Sequence, residues 1–273
     1  MSKSAGAAFE AAAVEAARLG GEVLRRRFRT AAASRVEVKG LHDFVTEVDR
    51  EAEAAILGYL GARFPGHAVM SEEASPDAAR AEHRWVVDPL DGTTNFYHGV
   101  TPFAVSVALE DHHGVLAGAV YDPVHDEMFH AHRGGGAHLD GVPIHCSRPD
   151  GAGKALVATG FPFRELGRLD RYMLAFAAVV RSTAGLRRAG AAAIDLAYSA
   201  CGRYDGFFEV GLSRWDMAAG VLLVQEAGGV VTDVLGGTAF LESGDVVAAG
   251  PDLHRTLLAI MRDAFGPAGR DPA

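Results

Sequence analysis

The sequence predicts a mixed α/β protein, an α+β half followed by an α/β half. Three observations carry this expectation. Two long helical stretches, over 4–28 and 47–63, frame the start of the chain, and short apolar strands separated by tight turns follow them. After about residue 150 the rhythm changes to alternating strand and helix. No repeat of fixed period and no low-complexity linker interrupts the 273 residues, so 1–150 and 151–273 read as two halves of one compact unit.

The first helix, 4–28, is Ala-rich, but Glu10 and Glu15 interrupt its apolar run and no small-residue cleavage pattern follows. It reads as an amphipathic helix rather than a signal peptide. Arg25, Arg26, Arg27 and Arg29 gather near its end, where cations suit the helix dipole, so a solvated helix end is favoured over a binding patch. The second helix opens on Thr46 and acidic residues and stops at Pro65-Gly66. Strands are expected at 84–88, 103–110, 114–123 and 127–133, the last running into a glycine turn, and together they suggest an antiparallel meander packed on the two helices.

In the second half, strands at 154–160, 185–190, 204–210, 230–234 and 245–250 intersperse helices at 167–182, 191–202, 214–229 and 251–264. The helix at 214–229 ends at a glycine pair, a common helix stop.

Composition narrows the function. A formal net charge of −9 argues against a nucleic-acid-coating surface. No apolar run is long enough to span a bilayer, and a soluble cytoplasmic protein is the plain expectation. Cys146 and Cys201, the two cysteines, fit small buried hydrophobes better than a disulfide framework or a sulfur-ligated metal. His125, His130, His132 and His138 cluster around the glycine turn; solvated strand and loop histidines are favoured there over a transition-metal site.

The stretch WVVDPLDGTTNF (85–96) carries the chemistry. Asp88 ends an apolar run, and Asp91 follows three residues later across a Pro-Leu pair. Pro89 fixes its own φ and biases Asp88 to an extended conformation, so the chain turns abruptly. On these residues alone, a proline turn and a binding site weigh about evenly. The following glycine and two threonines tilt the balance, because they suit a helix start whose free N–H groups face an anion.

Other acids match. Glu72 and Glu73 follow an expected strand end, Asp49 sits in the first turn of the second helix, and Asp216 opens the 214–229 helix. Taken singly, each has a bland reading as a surface or capping acid. Together they put carboxylates at the ends of several elements. An oxygen-only cluster suits a hard cation, above all Mg²⁺, and fits metal-assisted hydrolysis of a phosphate ester. The aspartyl-phosphate chemistry of strand-D-x-D-G-T phosphatases is excluded, because there the two acids are two apart rather than three. The EF-hand pattern is absent as well.

With these residues assembled, the chain resembles the inositol monophosphatase family, on the bacterial inositol-1-monophosphatase side. The resemblance rests on DFVTEVDREAE (43–53), SEE (71–73), WVVDPLDGTTNF (85–96), TGFPF (159–163), GRYDGFFEVGLSRWDMAAG (202–220) and QEAGG (225–229), and so covers nearly the whole chain. It implies a layered αβαβα sandwich of the type shared with fructose-1,6-bisphosphatases. It also implies a homodimer and a lithium-sensitive, Mg²⁺-dependent phosphomonoesterase using two to three ions, with Mn²⁺ a possible substitute. Hydrolysis would run by direct attack of metal-activated water, without a phosphoenzyme.

Carried over residue by residue, the resemblance puts Glu72, Asp88 and the Leu90 carbonyl on a first metal. Asp88, Asp91 and Asp216 hold a second, and Glu72 approaches a third. Thr93 and Asp49 match the pair that orients and deprotonates the attacking water, with Glu72 also assigned to catalysis. The Gly92 and Thr93 amides grip the phosphate. Asp91, Asp216, Glu209 and the loop of Gly190, Ala191 and Ala192 match the substrate contacts. Ala191 departs from the animal enzymes, which have threonine there and a hydroxyl that this chain lacks. Lys39 falls near a lysine often found upstream of the helix-two aspartate.

The implied substrate is a small phosphorylated polyol or sugar, with myo-inositol monophosphate leading. Histidinol phosphate, fructose 1,6-bisphosphate and 3′-phosphoadenosine phosphates remain open, as does a noncatalytic regulatory binding protein on the same scaffold. Glu209 favours a polyol over a nucleotide.

Overall fold

The computed structural model describes residues 3–30, 36–40, 43–74 and 81–266. The first half holds α1 (Lys3–Arg27), β1 (Val36–Gly40), β2 (Asp43–Thr46), α2 (Glu47–Arg63), β3 (Ala68–Ser71), β4 (Arg84–Asp91), α3 (Thr93–Tyr97), β5 (Ala104–Asp111), β6 (Gly114–Asp122), β7 (Glu127–His132), β8 (Gly136–Leu139) and β9 (Val142–Ile144). The second holds β10 (Leu156–Thr159), α4 (Leu169–Ser182), β11 (Gly185–Arg187), α5 (Ala192–Ala200), β12 (Gly206–Glu209), α6 (Arg214–Glu226), β13 (Val230–Thr232), α7 (Phe240–Ser243), β14 (Val246–Ala249) and α8 (Pro251–Phe265). The side chains of Lys39 and Thr46, to which the sequence assigned roles, lie outside the described residues.

The expected meander is present and larger than expected. A seven-stranded sheet runs β3-β4-β5-β6-β7-β8-β9, antiparallel throughout except for the parallel β3–β4 pair. The second sheet has the order β11-β10-β12-β14-β13 and is mixed, with β10 parallel to both neighbours and β14 antiparallel to both of its own. A separate β1–β2 hairpin precedes α2.

Three apolar layers separate these elements. One lies between α1, α2 and the outer face of the large sheet, with Leu24, Ile56, Trp85, Phe103 and Tyr121 at its centre. The middle layer sets α5 and α6 between the two sheets and joins Val86 and Phe129 of the first half to Ile194, Met217 and Phe207 of the second. The third places α4 and α8 on the far face of the small sheet through Tyr172, Phe208, Val247 and Leu257. The result is the expected αβαβα stack.

Close approach of helix to sheet and of helix to helix depends on small residues. A Cβ at Gly21 of α1 would stand 2.2 Å from Tyr121 Cδ1, and one at Gly220 of α6 would stand 2.6 Å from Leu196 Cβ. Packing at this density leaves no room for a methyl group. At the end of α1, Arg27 pairs with Glu51 of α2 at 2.7 Å, and Arg29 Nε donates to the Gly99 carbonyl. That agrees with a helix end rather than a binding patch.

Candidate active site

β4 is buried along its whole length and its C-terminal end opens the site. Residues three apart in a regular strand point to opposite faces, because the side-chain period is two. Here Asp88 pairs with Ser106 and Asp91 with Ala104, so three steps on β4 match two on β5. The inserted residue is a β-bulge, which restores the parity and lets both carboxylates serve one cavity. Pro89 at the bulge has no N–H to give the ladder, and Leu90 N donates to Asp88 Oδ1 at 2.9 Å. Next, Gly92 takes φ 86° and ψ 36°, a left-handed conformation that suits glycine, and α3 starts at Thr93.

The parallel β3–β4 pairing sets Ser71 beside Val87, and Glu72 N donates to the Val87 carbonyl, which delivers the Glu72 side chain to the same cavity. Asp216 arrives from the first turn of α6. It completes a capping box with Ser213, whose N–H donates to Asp216 Oδ2 at 2.7 Å. Asp216 is therefore a helix cap that also lines the cavity. Thr93 Oγ1 lies 3.3 Å from Asp49 Oδ1 and 3.0 Å from the Leu90 carbonyl oxygen.

These groups line a cavity of about 300 Å³ together with Gly92, Thr93, Gly190, Ala191, Ala192 and Glu209. Of the site residues expected from the sequence, only Asp49 is not part of the lining, and it is connected through Thr93. Burial, reinforced by the neighbouring Asp216 charge, pushes the Glu72 and Asp91 carboxyls up to about 8. Asp88, fully buried between Glu72 and Asp91, is held well above the usual carboxylate range for the same reasons. Asp216 is raised by burial and partly relieved by Arg164. Buried carboxylates crowded this way either protonate or take up a cation.

Arg164 is the main residue that sequence reasoning missed. Its guanidinium lies 3.3 Å from Asp216 and 3.5 Å from Glu72, and also donates to Ser213 Oγ at 3.0 Å. It directly follows TGFPF, so its position was marked, but an arginine in a loop has no periodicity to reveal its role.

The opposite wall carries Glu209, whose carboxyl burial pushes up to about 8, with Arg188 opposing the shift. Gly160 is a second missed residue, since a Cβ there would fall 2.0–2.2 Å from the Glu209 carboxyl atoms. Arg188 lies over the rings of Phe161 and Phe163, at 5.5 and 5.3 Å from their centroids. A third is Asn95 of α3, whose Nδ2 donates to Pro102 O at 2.7 Å and Ala189 O at 2.9 Å, tying α3 to the loop of Gly190 and Ala191. Asp91 Oδ2 accepts the N–H of Ala193 at 2.7 Å and joins the two halves again.

The donor set fits a hard divalent ion. Glu72, Asp88, Asp91 and Asp216 offer only oxygen, no imidazole or thiol among the described residues lines the cavity, and a guanidinium already stands among them as a cation. Cys146 and Cys201 are half-buried free thiols elsewhere, and burial pushes Cys146 up to about 11. His125 stands apart and exposed with Asp122, whereas His130 and His132 are not the solvated residues expected: both hold Glu10 of α1.

Solved structures of similar architecture define the class first: the fold is that of a phosphatase of the inositol monophosphatase type. A Thermotoga maritima IMPase superposes with a TM-score of 0.82 at 30% identity, covering 92% of this chain and 95% of that one. The extragenic suppressor protein suhB from Bartonella henselae reaches 0.88 at 39% identity, covering 93% and 98%. In sequence, the Nus factor SuhB of Pseudomonas aeruginosa is 47% identical over 94% of this chain and 96% of its own. The inositol-1-monophosphatase of Mesorhizobium japonicum is 41% identical over 91% and 94%. Residues 7–264 match the Inositol monophosphatase family, and the chain belongs to that family. Among the described residues, no helix is long and apolar enough to cross a membrane.

Proposed function

We propose that the protein is a Mg²⁺-dependent phosphomonoesterase acting on myo-inositol monophosphate or a related polyol or sugar phosphate. The observation that carries this reading is the convergence of Glu72, Asp88, Asp91 and Asp216 on one cavity beside the Thr93–Asp49 pair. Glu72, Asp88 and the Leu90 carbonyl would hold one ion and Asp88, Asp91 and Asp216 a second, with Glu72 near a third. Bound ions there would offset the phosphate charge and polarise water.

The chain's own groups do the rest. Thr93 Oγ1 orients the attacking water, and Asp49 Oδ1 takes its proton through that hydroxyl. The amides of Gly92 and Thr93, at the start of α3, face the phosphate. Glu209 and the Gly190–Ala192 loop receive the substrate hydroxyls, and Ala191 presents a methyl where a hydroxyl would otherwise contact the sugar. Positioning and charge neutralisation supply most of the acceleration.

Phosphate release from a panel of myo-inositol, histidinol, fructose and 3′-phosphoadenosine phosphates, with and without Mg²⁺ and Li⁺, tests the reading. Release that requires Mg²⁺, is suppressed by Li⁺ and is fastest for the polyol ester is expected. No release from any ester with Mg²⁺ would sink it.

A second reading, a binding role of the kind the name Nus factor indicates, rests on relatives 42% and 47% identical that carry that name. The two roles separate cleanly, because Asp88→Asn removes hydrolysis and leaves a surface interaction untouched.

A further inference from the structure

A second cluster of metal-ligating groups lies away from the carboxylate cavity, where α1 meets the β7–β8 hairpin of the large sheet. Glu10 comes from α1, His130 and His132 from β7, and His138 from β8. The register pairs His130 directly with His138, and their rings stack at 5.3 Å with 13° between planes. One donor atom from each of Glu10, His130 and His138 lies within 4.8 Å of the others.

We propose that Glu10, His130 and His138 form a binding site for a borderline-soft divalent ion such as Zn²⁺, which fastens α1 to the β7–β8 hairpin. Four observations carry it. First, the donor set is two imidazoles and one carboxylate, which selects Zn²⁺ and its neighbours over Mg²⁺. Second, bonds of about 2.0–2.1 Å in a tetrahedral arrangement put ligand atoms roughly 3.4 Å apart. The present separations are 2.6 Å from Glu10 Oε1 to His130 Nδ1 and no more than 4.8 Å within the group, so small side-chain rotations suffice. Third, His138 Nδ1 is buried without a hydrogen-bond partner, so this ring is not held by the polar contacts that usually justify a half-buried histidine.

Fourth, the carboxylate is aimed from behind. His132 Nδ1 bonds Glu10 Oε2 at 2.5 Å, leaving Oε1 toward His130. Room for the His132 ring is made by two glycines: a Cβ at Gly6 would lie 2.7 Å from its Cδ2, and one at Gly135 would lie 2.2 Å from its Cε1. His132 is thus a positioning residue for the ligand carboxylate. Coordination through His130 Nδ1 uses the neutral ring with its proton on Nε2, and water completes the fourth position.

The test titrates Zn²⁺ into the Mg²⁺-saturated full chain against a chromophoric chelator. One tight equivalent is expected. His138→Gln should weaken it at least about tenfold, and Asp88→Asn should leave it unchanged. His132→Gln should lower affinity about tenfold and shift the visible band of the Co²⁺-loaded protein, which a purely structural role would not do. The unmodified protein supplies a further readout, because the imidazole ¹⁵N resonances of His130 and His138 should both move on adding Zn²⁺. Absence of a tight equivalent overturns the proposal. So does affinity that survives His130→Gln with His138→Gln, or that vanishes with Asp88→Asn.

Discussion

Asp88 and Asp91 sit three positions apart in one strand yet serve one cavity, because the bulge at Pro89-Leu90 inserts a residue into β4 opposite β5. The turn and the site are one object. If Asp88 bridges two ions, removing its charge weakens both. Asp88→Asn is expected to abolish Mg²⁺-dependent turnover and the rise in Tm that Mg²⁺ gives the parent protein, whereas Thr93→Ala lowers kcat and keeps that rise. Thermal melts with and without Mg²⁺, beside phosphate release, decide it. Wild-type rates in Asp88→Asn would remove the site assignment.

Arg164 holds Glu72 and Asp216 in a way that competes with added cations. It is about half exposed, at 47%, so its pairing is worth only about 1 kcal/mol. Arg164→Ala should therefore lower the metal-free Tm slightly while tightening Mg²⁺ binding several-fold, since the four carboxylates then lose their resident positive neighbour. Calorimetric titration with Mg²⁺ checks this; weaker binding in the variant would show that Arg164 organises the ligands instead.

Most of the layered fold is legible in the amino-acid sequence. Long periodic helices such as α1 and α6 and the strands β5 and β6 follow from apolar spacing, and the acids that line the cavity follow from their place at element ends. What stayed hidden has physical causes. The β1–β2 hairpin, β8–β9 and α7 are short, and β8–β9 is rich in Gly, His and Pro, so no window of apolar periodicity marks them. The parallel β3–β4 pairing is a non-local contact, so Glu72 beside Asp88 required a family resemblance to predict. Arg164, Asn95 and Gly160 act through where a loop folds back, which local sequence does not encode.

Gly160 illustrates that last point. A methyl added there overlaps the Glu209 carboxyl, the far end of a flexible side chain, rather than backbone. Glu209 should move aside, so Gly160→Ala is expected to change Tm by less than about 2 °C. KM for the polyol ester should rise several-fold with kcat much less affected, and Glu209→Gln should show the same split. A variant that unfolds would show that Glu209 cannot move aside, and one with wild-type KM would show that the substrate does not depend on where Glu209 sits.

Asp195 offers a pH test at a residue outside the proposed metal ligands. It is buried in α5 and its Oδ1 has no hydrogen-bond partner. Burial first, then the charges of Glu209 and Asp91, hold its carboxyl well above the usual range, with Arg188 opposing. In the unfolded chain an aspartate titrates near 3.9. Between that value and the raised folded one, the native state binds the extra proton, so stability is fully present below about pH 4 and declines as pH rises. Asparagine has the shape of the protonated acid and cannot ionise. Asp195→Asn should therefore melt with the parent protein near pH 4–5 and above it by about 2–4 °C near pH 8. Melting curves across that range, at fixed Mg²⁺, settle the matter: a variant less stable at pH 8 would mean that the Asp195 charge is stabilised in the fold after all.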